Sequence, residues 1–131
     1  MSLILVDTSI WIQLFNHKKK DFNHEHLFRF AVCPPIIQEV LQGFKKPEAH
    51  QQAKDGMLAL PCFSNPLSLD TYLHASDLFR HGRKKWITIR SSTDCLIAAI
   101  AIENHVPILH LDRDYKQIAK FSRLEEMSSI D

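Results

Sequence analysis

The fold class predicted by this sequence is α/β: a three-layer α/β/α sandwich around a central, mostly parallel sheet. Three observations predict it. The run Leu3-Ile4-Leu5-Val6 is apolar without a break, as in strands covered on both faces. A second such run, Pro107–Leu111, comes much later, and each leads straight into a carboxylate, Asp7 after the first and Asp112 after the second. Between them lie segments with helical apolar spacing, and strands alternating with helices at this rhythm build parallel sheets. At 131 residues, with no internal repeat, linker or low-complexity tract, the chain is expected to form one domain over 1–131.

Element by element, Thr8 or Ser9 is placed to cap a first helix whose stripe is Ile10, Trp11, Leu14 and Phe15. The stretch HKKKDFN is a polar break, and Asn23 is the expected cap of a short second helix reaching Phe30. Ala31–Cys33 reads as a short strand. Pro34 and Pro35 open a helix in which Ile36, Ile37, Val40, Leu41 and Phe44 share a face. After Lys45-Lys46-Pro47 a further helix runs to about Leu58, and Leu60–Phe63 is a strand candidate despite Pro61. Ser68 or Asp70 starts a helix through about His81, and HGRKKW follows as a basic loop. Ser91–Asn104, containing CLIAAIAI, is apolar enough to be a helix buried on most sides. Asp112 or Asp114 begins the last helix.

Composition narrows the function classes. Apolar residues make up 45% and charged residues 24%, as in ordinary globular proteins. The formal net charge is +1, so any site for a polyanion must be local. Cys33, Cys62 and Cys95 form no CxxC pair and no disulfide framework; they read as small buried hydrophobes of a reducing, cytoplasmic setting. His24 and His26, or His74 and His81, lack the cysteine partners and spacing of a zinc site. No apolar run approaches the ~20 residues that span a bilayer, and the first one lacks a basic leader and is cut by Asp7, unlike a signal peptide. Three glycines leave no phosphate-cradling loop.

Open parallel sheets bind ligands beyond the carboxyl ends of their strands, where Asp7 and Asp112 fall. Asp94 sits in the first turn of the buried helix, at the positive end of its dipole. Glu39 lies at the edge of the core face of its helix, with Gln38 and Gln42 on the wetter side. Each acid alone has an ordinary explanation: Asp94 as a helix-start charge, Asp112 or Asp114 as a cap, Glu39 as a helix flank. Their joint pattern is informative. Two unit charges ~4 Å apart repel by about 4 kcal/mol at an effective dielectric near 20. A domain of roughly 5–15 kcal/mol total stability does not carry several such pairs uncompensated. Either protons or divalent cations sit among them. All-oxygen ligands favour Mg²⁺ or Mn²⁺, and Mg²⁺ sites are commonly completed by substrate phosphates.

DTSIWI, IIQEVLQG and STDCLIAAIAIENHVPILHLDRDY together resemble the PIN-domain nucleases, most closely the VapC-type ribonuclease toxins of prokaryotic toxin–antitoxin pairs. The resemblance spans nearly the whole chain. It implies that Asp7 and Asp94 are the principal metal ligands, that Glu39 is the helix acid with Gly43 as its nearby glycine, and that Asp112 is the fourth acid, assisted by Asp114. It places the hydroxyls of Thr8, Ser9 and Thr93 as supporting polar contacts to metal or water. Two residues depart from the family pattern: His110 stands where threonine is common, and Tyr115 where phenylalanine is usual.

The activity so implied is Mg²⁺-dependent endoribonuclease cleavage of a structured RNA such as a tRNA, by metal-activated water, with no side-chain nucleophile. Arg83, Lys84, Lys85, Arg90 and Arg113 are candidate RNA contacts, with His81, Lys18–Lys20 and Lys45-Lys46 also near the acids in sequence. Trp86 either stacks on an unpaired base or fills the core. The resemblance further implies a cognate antitoxin, for which the Ile10, Trp11, Leu14, Phe15 stripe is either a groove or simply core, and a homodimer or toxin–antitoxin hetero-oligomer. Rival classes are a metal-dependent DNA nuclease or phosphoesterase, a phosphoryl-accepting receiver domain and a silent RNA-binding module. A receiver is disfavoured by the lone Asp7 and the missing strand-end lysine, and a silent module by the four retained acids.

Overall fold

Among the described residues, four short strands form the sheet: β1 (Ile4–Val6), β2 (Phe30–Ala31), β3 (Ile108–Leu109) and β4 (Glu126–Met127). This computed structural model describes residues 2–16 and 24–130; the expected cap Asn23 and the run Lys18–Lys20 lie outside the described residues. The order is β2-β1-β3-β4 and every pairing is parallel, with Leu5 opposite both Ala31 and Ile108. The unbroken apolar composition of β1 and β3 suits this arrangement, because all their residues are fully buried. The ladder reaches one residue past β1, where the Asp7 N–H donates to the Leu109 carbonyl at 2.9 Å. That bond delivers Asp7 to the carboxyl edge beside the end of β3.

Seven helices among the described residues connect and cover the strands: α1 (Thr8–Phe15), α2 (His24–Leu27), α3 (Pro34–Leu41), α4 (Pro47–Leu58), α5 (Leu69–Lys84), α6 (Ser92–Glu103) and α7 (Arg113–Ala119). α6 is the central one. Ile97, Ala98, Ala99, Ile100 and Ala101 have no appreciable exposure, so a helix apolar on every side is buried on nearly every side. It packs along α5 and also meets α3 and α7. Trp11 anchors α1 from the other direction: its indole N–H donates to the Val6 carbonyl at 2.9 Å, and its ring stacks on Phe15 and meets the edge of Phe30.

Several boundaries differ from the sequence expectation, each for an identifiable reason. The α1 cap is Asp7 rather than Thr8 or Ser9, since its carboxylate accepts the Ser9 N–H. α2 stops at Leu27 and Phe30 enters β2, where an aromatic fully buried in the sheet is worth more than one further helical turn. Leu60–Phe63 forms only a single parallel bridge, Val32 to Cys62, because Pro61 has no N–H to donate to a ladder. The run HGRK is not a loop but the last turn of α5, which continues to Lys84, where cations complement the negative end of the helix dipole. β4 has no apolar run to announce it; its two residues are half-buried at the sheet edge.

Truncating Ile100 to Ala is expected to cost about 2–5 kcal/mol in urea unfolding, the range for a buried aliphatic in a helix that has no room to collapse. Ile12→Ala, on the half-exposed outer face of α1, is expected to change stability by no more than about 0.5 kcal/mol.

Candidate metal centre

Asp7 is 4% exposed, yet both of its oxygens are satisfied. Oδ2 accepts the Ser9 N–H at 3.1 Å and the Ser9 hydroxyl at 2.7 Å. Oδ1 accepts the Tyr115 hydroxyl at 2.8 Å. The Ser9 oxygen in turn accepts the Leu111 N–H, tying the start of α1 to the segment after β3. Thr8 performs a similar task for the helix acid, its hydroxyl donating to Glu39 Oε1 at 3.1 Å. Two of the three hydroxyls expected to support the site, those of Thr8 and Ser9, therefore act on carboxylates.

Asp112 caps α7, its Oδ1 accepting the Asp114 N–H at 2.9 Å. Its own N–H donates to His110 Nδ1 at 3.0 Å. That nitrogen is consequently unprotonated, so Nε2 carries the hydrogen and donates to Glu126 Oε1 at 2.9 Å. Asp114, 1% exposed, accepts three backbone contacts: Arg90 N–H to both oxygens and Ser91 N–H to Oδ2, all at 3.1–3.2 Å. It fixes the residues that lead into α6, and so fixes Asp94.

Asp94 is the least compensated. Tyr115 reaches its Oδ1 at 3.2 Å, but Oδ2 is buried and no donor among the described residues faces it. Ligand oxygens of Asp94, Asp112 and Asp114 all lie within 4.8 Å of one another. Acceptors facing acceptors are stable only with a proton or a cation between them. In the metal-free protein the proton is favoured: burial first, then the adjoining Asp114 carboxyl and the charges of Asp112 and Asp7, push Asp94 up to about 9. Burial also raises Glu39, opposed by the Thr8 hydrogen bond and helped by the charges of Asp7 and Asp112. Tyr115, wholly buried, is pushed well above its usual value by burial and by Asp7 and Asp94, so it stays a neutral donor.

These residues fit a hard divalent cation. Among the described residues the clustered donors are the carboxylate oxygens of Asp94, Asp112 and Asp114, and the buried Asp94 oxygen has no partner of the kind that such an ion supplies. Cys33 and Cys95, both free, are held protonated by burial at about 12 and about 11. The sequence expectation gathered the five acids but missed the contacts of Tyr115 and His110. The available signal was a histidine between two leucines just past a buried strand, and a tyrosine at the position where the family resemblance leads to phenylalanine.

Of the candidate RNA contacts, Arg90 and Arg113 adjoin the acids, Arg90 through its N–H to Asp114 and Arg113 as the neighbour of Asp112 and Asp114, whereas Arg83, Lys84 and Lys85 lie at the end of α5. Arg83, Lys84, Lys85 and Arg90 are exposed at the end of α5 and in the loop leading to α6. Arg83 lies over the Phe79 ring, 5.2 Å from its centroid, and Arg113 is exposed in the first turn of α7. Trp86 is 96% exposed and does not fill the core. Its φ of 59 is unusual for a side chain of this size and turns the ring outward. Thr93 and Ser92 line a groove of about 500 Å³ with Tyr72, Phe79, Arg80 and Arg83, on the flank of α6 one residue from Asp94. A second groove, of about 350 Å³, is lined by Ile12, Phe15, Val40 and Phe44, with Lys45 and Lys46 at its rim. Ile10 and Trp11 of the expected α1 stripe are core instead, and Leu14 and Phe15 are half-buried.

The PIN-domain family model matches residues 4–121. A VapC ribonuclease of Mycobacterium bovis is 32% identical over 96% of this chain and 98% of its own length. Ribonuclease VapC11 of Mycobacterium tuberculosis matches with the same identity and coverage. Among solved structures, VapBC2 from Rickettsia felis bound to a DNA fragment from its promoter superposes with a TM-score of 0.74 at 20% identity, covering 95% of this chain and 97% of that one.

A carboxyl held protonated in the fold contributes stability that is complete below the unfolded value near 4 and is lost as pH rises through the folded one, here about 9 for Asp94. In chelator, the melting temperature is therefore expected to fall between pH 6 and pH 9, and Asp94→Asn to flatten that slope. An unchanged slope in the variant, read by calorimetry across the same pH range, would remove Asp94 as its source.

Proposed function

The chain belongs to the PIN-domain family and is a relative of the VapC ribonucleases, and from that premise we propose that it is a Mg²⁺- or Mn²⁺-dependent endoribonuclease toxin, one nuclease domain over 1–131, that hydrolyses phosphodiesters of a structured RNA such as a tRNA. The observation that carries this reading is the buried Asp94 oxygen, without a donor among the described residues, beside Asp112 and Asp114. In the proposed roles Asp7, Asp94, Glu39 and Asp112 hold the metal, with Asp114 as a further oxygen source and Thr8 and Ser9 orienting Glu39 and Asp7.

A divalent cation bound there supplies the activation of water and the neutralisation of phosphoryl charge. The chain's own residues do the rest. Ser9 and Tyr115 fix Asp7, Asp114 fixes the approach to α6, and His110 fixes Asp112 through its amide. Glu39, with its proton affinity raised and its side chain only half-buried, is placed to accept a proton from the attacking water. In-line attack by water leaves a 5′-phosphate and a 3′-hydroxyl.

Strand recognition is assigned to the basic end of α5. Arg83, Lys84, Lys85, Arg90 and Arg113 track phosphates, and Trp86 stacks on an unpaired base. Unpaired loops of a folded RNA are where such bases are presented. The antitoxin is assigned to the Ile12, Phe15, Val40, Phe44 groove, which suits the apolar face of a helix whose acidic residues meet Lys45 and Lys46. The VapBC2 complex of Rickettsia felis supports a partner of that class.

Purified protein incubated with total RNA is expected to cleave with Mg²⁺ and not with chelator, and mapping of the new ends should find 5′-phosphates at one or few unpaired sites. Asp7→Asn should lower the rate by about 100-fold or more, at or beyond the upper end of losses seen for outer-shell partners. Wild-type cleavage by that variant, or cleavage of DNA in preference to RNA, overturns the assignment. In chelator, Trp86→Ala is expected to weaken single-stranded RNA binding by about 1–3 kcal/mol, measured by anisotropy.

A further inference from the structure

Tyr115 reaches the acids from α7 with its side chain wholly buried, its ring centroid 5.0 Å from that of His110. Ring packing of this kind is satisfied by any aromatic of the same size. The hydroxyl does something packing does not need: it donates to Asp7 Oδ1 at 2.8 Å and to Asp94 Oδ1 at 3.2 Å. A phenol has one proton, so that proton is shared between two carboxylates carried by different elements, one at the end of β1 and one in the first turn of α6. Among the described residues, no other side-chain hydroxyl or N–H donates to Asp94, which otherwise faces Asp112 and Asp114, acceptors both.

We propose that Tyr115 is a positioning residue for the divalent ion: its hydroxyl sets the spacing and rotation of Asp7 and Asp94 by engaging Oδ1 of each. It leaves Asp94 Oδ2 bare and turned away from the phenol. Asp7 is then gripped from two sides, by Ser9 on Oδ2 and Tyr115 on Oδ1, and its carboxylate plane cannot rotate freely. A hydrogen bond of this kind to a ligating carboxylate persists when the ligand binds, because each oxygen has two lone pairs. Tyr115 thus touches the ligands rather than the substrate. The inference rests on the reading of these acids as a metal site.

The test is a Mn²⁺ titration of the full chain, following the spectroscopic signal of the free ion, on wild type, Tyr115→Phe and Leu78→Ala. Leu78 is a buried residue of α5 outside the acidic cluster and serves as a control for simple destabilisation. Tyr115→Phe is expected to bind Mn²⁺ about 10-fold or more weakly. It should need correspondingly more Mn²⁺ for half-maximal RNA cleavage, with kcat restored at saturating ion. Leu78→Ala should lower the melting temperature in chelator and leave the Mn²⁺ affinity unchanged. If wild type binds Mn²⁺ and Tyr115→Phe binds it equally well or better, Tyr115 does not position the ligands. If wild type binds none, the metal-site reading itself fails and the role of Tyr115 falls with it.

Discussion

Like-charge repulsion among buried carboxylates is the constraint around which this chain is arranged. Five acids converge at the carboxyl edge of the sheet, and three of them, Asp7, Asp94 and Asp114, are almost completely withdrawn from water. Burial and neighbouring charge both hold Asp94 and Glu39 toward their protonated forms, and an uncompensated pair of unit charges ~4 Å apart costs about 4 kcal/mol at an effective dielectric near 20. The offsets are specific. Ser9 and Tyr115 serve Asp7, Thr8 serves Glu39, two backbone amides serve Asp114, and one serves Asp112. The deficit that remains is concentrated on a single oxygen of Asp94. A site that satisfies most of its charge internally and leaves one place open is suited to a ligand of fixed size and sign.

The same hydrogen bonds join the fold. Residues 7–9, 39, 90–94 and 110–115 come from four regions of the chain, and the contacts that compensate the acids are the ones that cross between them. Ser9 links the start of α1 to the segment after β3, Asp114 links α7 to the entry of α6, and His110 links β3 to β4 through Glu126. Stability and chemistry are therefore coupled here. An interior designed for stability alone would replace these acids with hydrophobes and gain from it.

Charge is also divided in space. The acids are buried at the sheet edge, whereas the cations of α5 are exposed and follow its carboxyl end, where the helix dipole favours them. With a net charge of only +1, this separation creates a local positive surface without a global one. Trp86 is held outward at the tip of that surface by a left-handed backbone conformation, a strain of about 1–3 kcal/mol that burial of the ring does not repay. The groove beside Thr93 runs between this basic end and the helix that carries Asp94.

How much of this was legible without coordinates follows from the range of the forces involved. The apolar runs of β1 and β3, the helix α6 apolar on all sides and the proline start of α3 are properties of consecutive residues. So is the position of an acid directly after a strand. Local sequence therefore determined the parallel α/β class and singled out Asp7, Glu39, Asp94, Asp112 and Asp114. It could not show that Asp7 caps α1, where Thr8 or Ser9 was expected, nor place Trp86, whose exposure depends on a backbone angle. β4 was hidden because two half-buried residues carry no periodicity. The roles of Tyr115 and His110 were decided only by tertiary structure, since each meets partners at least 16 residues away in sequence, Asp7 and Asp94 in one case and Glu126 in the other. Hydrophobic burial is written into short windows of sequence by periodicity, whereas the pairing of one donor with one acceptor is fixed only when the folded chain brings them within hydrogen-bonding distance.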